Sequence, residues 1–474
     1  MSTTWTETEP GVYEANLDGA ESVYRRSATA FAPLSREHWR LHTICRFSFG
    51  PGYQGPEDKE AALRQAWKAL RFEFPGMVVA PNDRKKVYKT PSAQETQEWL
   101  DQTFFVETKR TADEIISEAV PLQEVPSLHY LPATSEILFL ISHWRIDAMG
   151  SWMVTDRLFY HLANPSELPA EPSASELEKI SPSLEDAAGS PKVSTPAMEK
   201  LAADHIAAHH RNAIQMGGMP YKGDHTTLPA SPVREALVFT PASTQEALTA
   251  CKVRAITITA AVHAALAETV FAMGLPESRE HDYVTVMPVN LRNYLQAPFR
   301  SDDGEAHAHA LQTYAGSITP RVARHASFAE RTSYLMEYYK TRYDPRLIEC
   351  LRPIYAYHAD ALFKPRPAAA ATNGDTPAPP PRPPSGISIN SLGVVEKYFP
   401  GRYEDKVEVE TFVFGVSMIT RQTMLYLWTW KGRLTLSSEY NAAYHDPEEV
   451  REVMLSIQRV LETELGITLV EESI

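Results

Sequence analysis

Cysteine is nearly absent: three residues in 474, at positions 45, 251 and 350. An odd number so widely spaced excludes a disulfide framework and any Cys-x-x-Cys zinc or redox site. A reducing, cytoplasmic setting is expected. Positive charge is also short. Lys and Arg number 46 against 60 Asp and Glu, a net charge of −14. That balance argues against a nucleic-acid binder, which needs a basic face, and against charge-driven docking on anionic lipid. No run of 18 apolar residues occurs, so no membrane span is expected. The opening MSTTWTETEPGVYEANL lacks the basic and apolar regions of a signal peptide. Gly-x-Gly-x-x-Gly and phosphate-binding Gly-Lys loops are missing, which disfavours nucleotide-dependent redox or kinase chemistry. No Gly-x-Ser-x-Gly elbow and no fixed repeat are found.

What remains is ordinary globular material, 43% apolar and 22% charged, too long for one average core. Two segments read as connectors. Residues 164–192 are rich in Pro, Ser and Glu without an apolar period, so little surface is there to offset the entropy of ordering. Residues 364–384 hold eight prolines and no large apolar side chain, the pattern of an exposed, extended insertion.

Between them helices and strands alternate. Helical spacing marks 58–72, 150–163, a segment opening at Thr195-Pro196, 257–273 and 326–343. Ser243 to Glu246 has the pattern of a capping box. Strands are expected at 136–142, 234–240, 283–289, 411–418, 423–430 and 434–440, the last two joined by a Lys431-Gly432 turn. A helix with an acidic start opens at Asp446. The class is mixed α/β.

The chemistry concentrates in Ile137 to Gly150, ILFLISHWRIDAMG. A buried strand ends, His143 follows at once, Asp147 comes four residues later, and a helix begins. Neutral imidazole, with an ordinary pKa of about 6.5, accepts a proton from a hydroxyl at pH 7. The same spacing also arises where a ring is satisfied by backbone near a turn. His307 and His309 stand two apart, but no third ligand is in register, so no metal is expected.

The segment ISHWRIDAMG resembles the His-x-x-x-Asp motif of the chloramphenicol-acetyltransferase-like superfamily. That group holds BAHD-type acyltransferases, fungal trichothecene-type O-acetyltransferases and peptide-synthetase condensation domains. Four further stretches resemble family elements in the expected order: 256–270, VTVMPVNLR (284–292), SINSLG (388–393) and 434–454. The resemblance runs from about residue 30 to the end. Two departures stand out. Ala148 follows the Asp where many relatives carry Gly, with Gly150 two places later. The plant Asp-Phe-Gly-Trp-Gly motif is missing, Phe412 to Gly415 being the nearest segment. The missing plant motif points toward the fungal branch.

The resemblance implies an α/β fold of two sheet-and-helix lobes, residues 1–185 and 186–474, with an active-site tunnel between them. It implies O-acyl transfer, most simply acetyl transfer, from acyl-CoA to a hydroxylated secondary metabolite, with no cofactor permanently bound. His143 would be the general base. Asp147 would pair with Arg292, because a bare carboxylate beside His143 would raise the imidazole pKa and a guanidinium cancels that field. Asn390, Ser391 and Ser417 are the candidate substrate or oxyanion donors. A monomer is expected, with a carrier-protein donor or a non-catalytic small-molecule binder as the alternatives.

Overall fold

The computed structural model describes residues 4–53, 55–119, 122–169, 174–213, 218–296, 309–341, 344–363 and 384–472. His307 and most of the Pro-rich insertion fall outside these ranges. Along the chain, helix α1 (Gly19–Thr29) precedes strand β1 (Leu41–Phe49) and α2 (Pro56–Glu73). Strands β2 (Phe104–Val106), β3 (Ser127–Leu131) and β4 (Glu136–Ile141) follow, then α3 (Ala148–Ala163). Next come α4 (Pro196–Ala213), β5 (Pro232–Val238) and α5 (Ile258–Met273). After α6 (Leu351–Phe363) come β6 (Ile387–Val394), β7 (Arg402–Tyr403), β8 (Val407–Val416), β9 (Thr423–Trp430) and β10 (Arg433–Asn441). Helix α7 (Pro447–Leu465) closes the fold.

Two sheets organise these elements. The first has six strands in the order β7-β8-β1-β4-β3-β2, the second four in the order β6-β9-β10-β5. The chain leaves the second sheet after β6, adds β7 and β8 to the first, and returns as β9. Strand β8 pairs with β1 in antiparallel register from Val407↔Phe49 to Val416↔Leu41. The first sheet is thus completed by residues lying beyond the expected lobe boundary at 185.

Each sheet has its own core. Against the first pack Trp67 and Leu70 of α2 and Trp152, Leu158 and Phe159 of α3. Against the second lie α5 and α7, with Leu266, Val270, Ile457 and Leu461 buried. Helix α5 is surrounded on nearly all sides, and its alanines let neighbouring backbones approach closely. Truncating Leu266 to Ala in such a site costs about 2–5 kcal/mol.

Three sequence expectations are corrected. Ser243 to Glu246 lies inside a helix rather than opening it. The helix starts at Pro241, and Thr240 caps it by accepting from the Ser243 N–H at 3.3 Å. Proline at the first helical position set the start earlier. The expected strand 283–289 is two short ones, Tyr283–Val284 and Met287–Asn290, paired with Arg321–Val322 and Ala315–Ile318 respectively. The Thr285 hydroxyl between them donates instead to the Ile387 carbonyl. The connector, over its described residues, is largely packed. Glu176 is buried because it is paired: the Arg71 guanidinium donates to both of its oxygens at 2.7 Å, and Leu184 and Ala187 enter the core.

Lys431 and Gly432 both have positive φ in the β9–β10 turn, 48° and 73°, which matches the right-handed twist of the strands they join. No single described helix is long and apolar enough to cross a membrane.

Candidate active site

Strand β4 ends at Ile141. The chain turns through residues 142–147, with the Arg145 N–H donating to the Ser142 carbonyl at 3.1 Å. Helix α3 starts at Ala148 with Asp147 as its N-cap, extended at φ −111° and ψ −177°. One carboxylate oxygen of Asp147 accepts from the Gly150 N–H at 2.9 Å, the usual work of a capping side chain.

The other oxygen accepts from Arg292 Nη1 and from the Tyr314 N–H, each at 2.8 Å. Arg292 Nε and Nη2 donate to the His309 carbonyl at 3.2 and 2.9 Å, and the guanidinium lies over the Tyr314 ring. The two charged side chains are both only 9% exposed. The structure therefore brings Asp147 and Arg292, far apart in sequence, together as a saturated pair. Gly150 makes room for it. A Cβ there would collide with the Ala310 carbonyl and stand 3.1 Å from Arg292 Nη2. This gives the second-position glycine of the motif its physical reason.

His143 is held differently. Its carbonyl accepts from the Thr313 hydroxyl, and its ring stacks on Tyr24 of α1, centroids 4.4 Å apart at 28°. Trp39 approaches the ring edge-on at 6.2 Å, and His38 stacks on Trp39 at 4.6 Å. Nδ1 is buried without a well-aligned hydrogen bond. Burial pulls the imidazole below its ordinary value, opposed by the His143 and Ile146 backbone and by the Asp147 carboxylate. The ring is therefore neutral at pH 7. His38, buried and next to His143, is pushed down to about 3.

The remaining predicted residues lie elsewhere. Asn390 sits opposite Tyr426 in the β6–β9 register, with its amide near the Tyr426 hydroxyl. The Ser391 hydroxyl meets that of Thr259 at 2.7 Å. Ser417 is buried, and its backbone bonds Arg40 and Trp39 at the strand end. Among the described residues no hydrogen bond joins any of these three to His143. His309, weighed in the sequence as a metal ligand, supplies its carbonyl to Arg292, and its ring is lowered to about 4 by burial and by that guanidinium. Among the described residues no group of three or more His, Cys, Asp or Glu is arranged to hold a metal.

Sequence reasoning missed Tyr24, Trp39, Thr313 and Tyr314. All four reach the motif from distant segments, and no local pattern marks them. A second network anchors the helix that carries Tyr24. Glu21 accepts from Lys86, Gln312 and the Asp18 N–H, which ties α1 to the 309–314 loop. Burial there raises Asp18 to about 6.

No family model matches the chain. It is 53% identical over 466 residues to the O-acetyltransferase pigM of Monascus ruber, covering 98% of this chain and 88% of that protein. It is 36% identical to the azaphilone biosynthesis cluster protein M of Aspergillus terreus, covering 97% and 98% respectively. It is 30% identical to the acetyltransferase pigO of Monascus ruber, covering 98% of each. Among solved structures, the TRI3 trichothecene 15-O-acetyltransferase of Fusarium sporotrichioides shares the fold at a TM-score of 0.75 and 16% identity, over 96% of this chain and 97% of that one. The chain belongs to the O-acetyltransferases of fungal secondary metabolism, enzymes with a chloramphenicol-acetyltransferase-like fold.

Proposed function

We propose that this acetyltransferase moves an acetyl group from acetyl-CoA to a hydroxyl of a small secondary metabolite, with His143 as general base and without an acyl-enzyme. The observation that carries the reading is the contrast within the motif. The Asp147 carboxylate has three hydrogen-bond donors, the Arg292 guanidinium among them, while the His143 ring is neutral and held by stacking. Nδ1 is buried, so the proton is assigned to Nδ1 and the basic lone pair to Nε2.

Nε2 takes the hydroxyl proton as the acceptor oxygen bonds to the thioester carbonyl carbon. The tetrahedral intermediate then collapses, the C–S bond breaks, and the departing thiolate recovers the proton from the imidazolium. All three cysteines are buried, and none lies in the motif. The reactants would meet in a tunnel between lobes 1–185 and 186–474. Asn390, Ser391 and Ser417 are the proposed donors to the oxyanion. The relative from an azaphilone cluster favours an acceptor of that class.

Calorimetric titration with acetyl-CoA tests the donor. Micromolar binding by both the natural protein and His143→Ala, with transfer lost only in the variant, is the expected result. A folded protein that ignores acetyl-CoA and free CoA would shift the donor to a carrier-protein thioester. Unchanged turnover in His143→Ala would refute the mechanism.

A further inference from the structure

A second buried pair of titratable side chains joins the two sheets, and the mechanism above does not use it. His42 on β1 and Glu439 on β10 face each other with Nε2 and Oε1 3.3 Å apart, each residue 1% exposed. Neither His42 ring nitrogen has a well-aligned hydrogen bond, and neither does Glu439 Oε1. The neighbouring Ser437 hydroxyl is equally without a partner. Buried polar groups are normally satisfied, so an unfilled polar seam of this kind calls for a ligand or water.

The seam opens into a cavity of 320 Å³ lined by both residues, together with Asp113, Arg234, Glu235 and Asp446. Gly415 makes the seam, because a Cβ at that position would collide with Glu439 Oε1 and His42 Nε2. The Tyr426 hydroxyl feels the Glu439 carboxylate and meets the Asn390 amide, so the polar seam continues to β6.

Register places the cavity relative to the base. His42 pairs with Leu140, and His143 lies three residues beyond Leu140. The cavity thus lies beside the strand end from which the turn carrying His143 departs. Charge decides what the cavity takes. Asp113, Glu235, Glu439 and Asp446 line it against the guanidinium of Arg234, a balance that repels the phosphates of CoA. An imidazole N–H and a carboxylate together suit a group that both accepts and donates. A hydroxyl is the smallest such group, and the amides of the pantetheine arm are the other source of that chemistry.

We propose that His42 and Glu439 bind a second hydroxyl of the acceptor, so that the acceptor carries two oxygen functions and the second sets which one reaches His143. This rests on the acyl-transfer reading, but its test does not. Calorimetry compares 1,8-octanediol with 1-octanol, probes that differ only in the distal hydroxyl. The diol is expected to bind at least tenfold more tightly to the natural protein. Glu439→Leu and His42→Leu should each bring the ratio near one, Glu439→Gln should keep part of it, and acetyl-CoA affinity should be unchanged in all three. A thermal melt checks that each variant folds, and two separate positions guard against one failing. Equal binding of the two alcohols, or a preference that survives both Leu variants, overturns the proposal. A loss of acetyl-CoA affinity instead assigns the pair to the pantetheine arm and also overturns it. His143→Ala should retain the diol preference, so failure of the base assignment and failure of this site read differently.

Discussion

Two polar pairs that cross between the halves of this enzyme, Asp147–Arg292 and His42–Glu439, are built in opposite ways. Asp147 and Arg292 are saturated: the carboxylate accepts three hydrogen bonds, and the guanidinium meets a carboxylate, an amide oxygen and a backbone carbonyl. His42 and Glu439 are in contact at 3.3 Å, yet ring nitrogens and a carboxylate oxygen are left over. Polar pairs shielded from solvent thus serve two ends. A saturated pair fixes geometry, because any movement breaks several bonds at once. An unsaturated pair keeps unused hydrogen-bonding capacity for something that arrives later.

The contrast can be broken in order of expected effect. His143 belongs to neither pair, so His143→Ala should leave the melting temperature nearly unchanged while lowering acetyl transfer by about 10²–10⁴-fold; steady-state kinetics beside a thermal melt checks this. Arg292→Ala leaves the Asp147 carboxylate buried with only backbone donors. It should cost about 3–5 kcal/mol in urea unfolding and lower activity as the 142–147 turn loosens. Asp147→Asn should move both readouts the same way by less, because the amide still accepts from the N-terminus of α3.

Gly415→Ala attacks the other pair by filling the seam. Overpacking there should cost about 1–3 kcal/mol and weaken diol binding without touching the Asp147–Arg292 contact. If Gly415→Ala lowered stability as much as Arg292→Ala, the division between a fixing pair and a receiving pair would fail.

The smallest effect is on pH. His38 is held neutral by burial and by His143, with its folded pKa at about 3, well below the ordinary 6.5. Well above pH 6.5 neither the folded nor the unfolded state is protonated there. As pH falls the unfolded chain takes the proton first, so stability drops from about pH 6.5 toward 3, by at most about 1.4 kcal/mol per unit for this residue. Denaturant titrations at pH 7 and 5 on the natural protein and His38→Phe should show the slope shrinking in the variant. Activity should likewise rise with pH through a value below 6.5 and then level, since the His143 ring is lowered too.

Much of this was legible in the sequence where the signal is local. The run from Ile137 to Gly150 shows strand, turn and helix in order. An apolar strand, a capping Asp and a glycine at close approach all leave their marks within that one short stretch. The Lys431-Gly432 turn and the acidic cap at Asp446 are equally local. The partners of the motif were hidden for the opposite reason. Tyr24 stacks on His143 from the far N-terminal helix, and Tyr314 donates to Asp147 from the other half of the chain. Nothing in their sequence neighbours records either contact. Glu176 misled because its composition says solvent, while its place beside Arg71 and Tyr88 says interior. The Arg292 pairing could be anticipated only through family resemblance.

The borrowed strand β8 has a bearing on synthesis. Strand β1 is made early, yet the neighbour that covers one of its edges is Val407–Val416. A ribosome must travel from Phe49 to Val416 before that edge is closed. Until then the nascent first sheet shows an open row of amides and carbonyls, the kind of edge that recruits wrong partners. The enzyme therefore completes its first sheet only late in translation, and a chain cut before β8 would have no means of completing it.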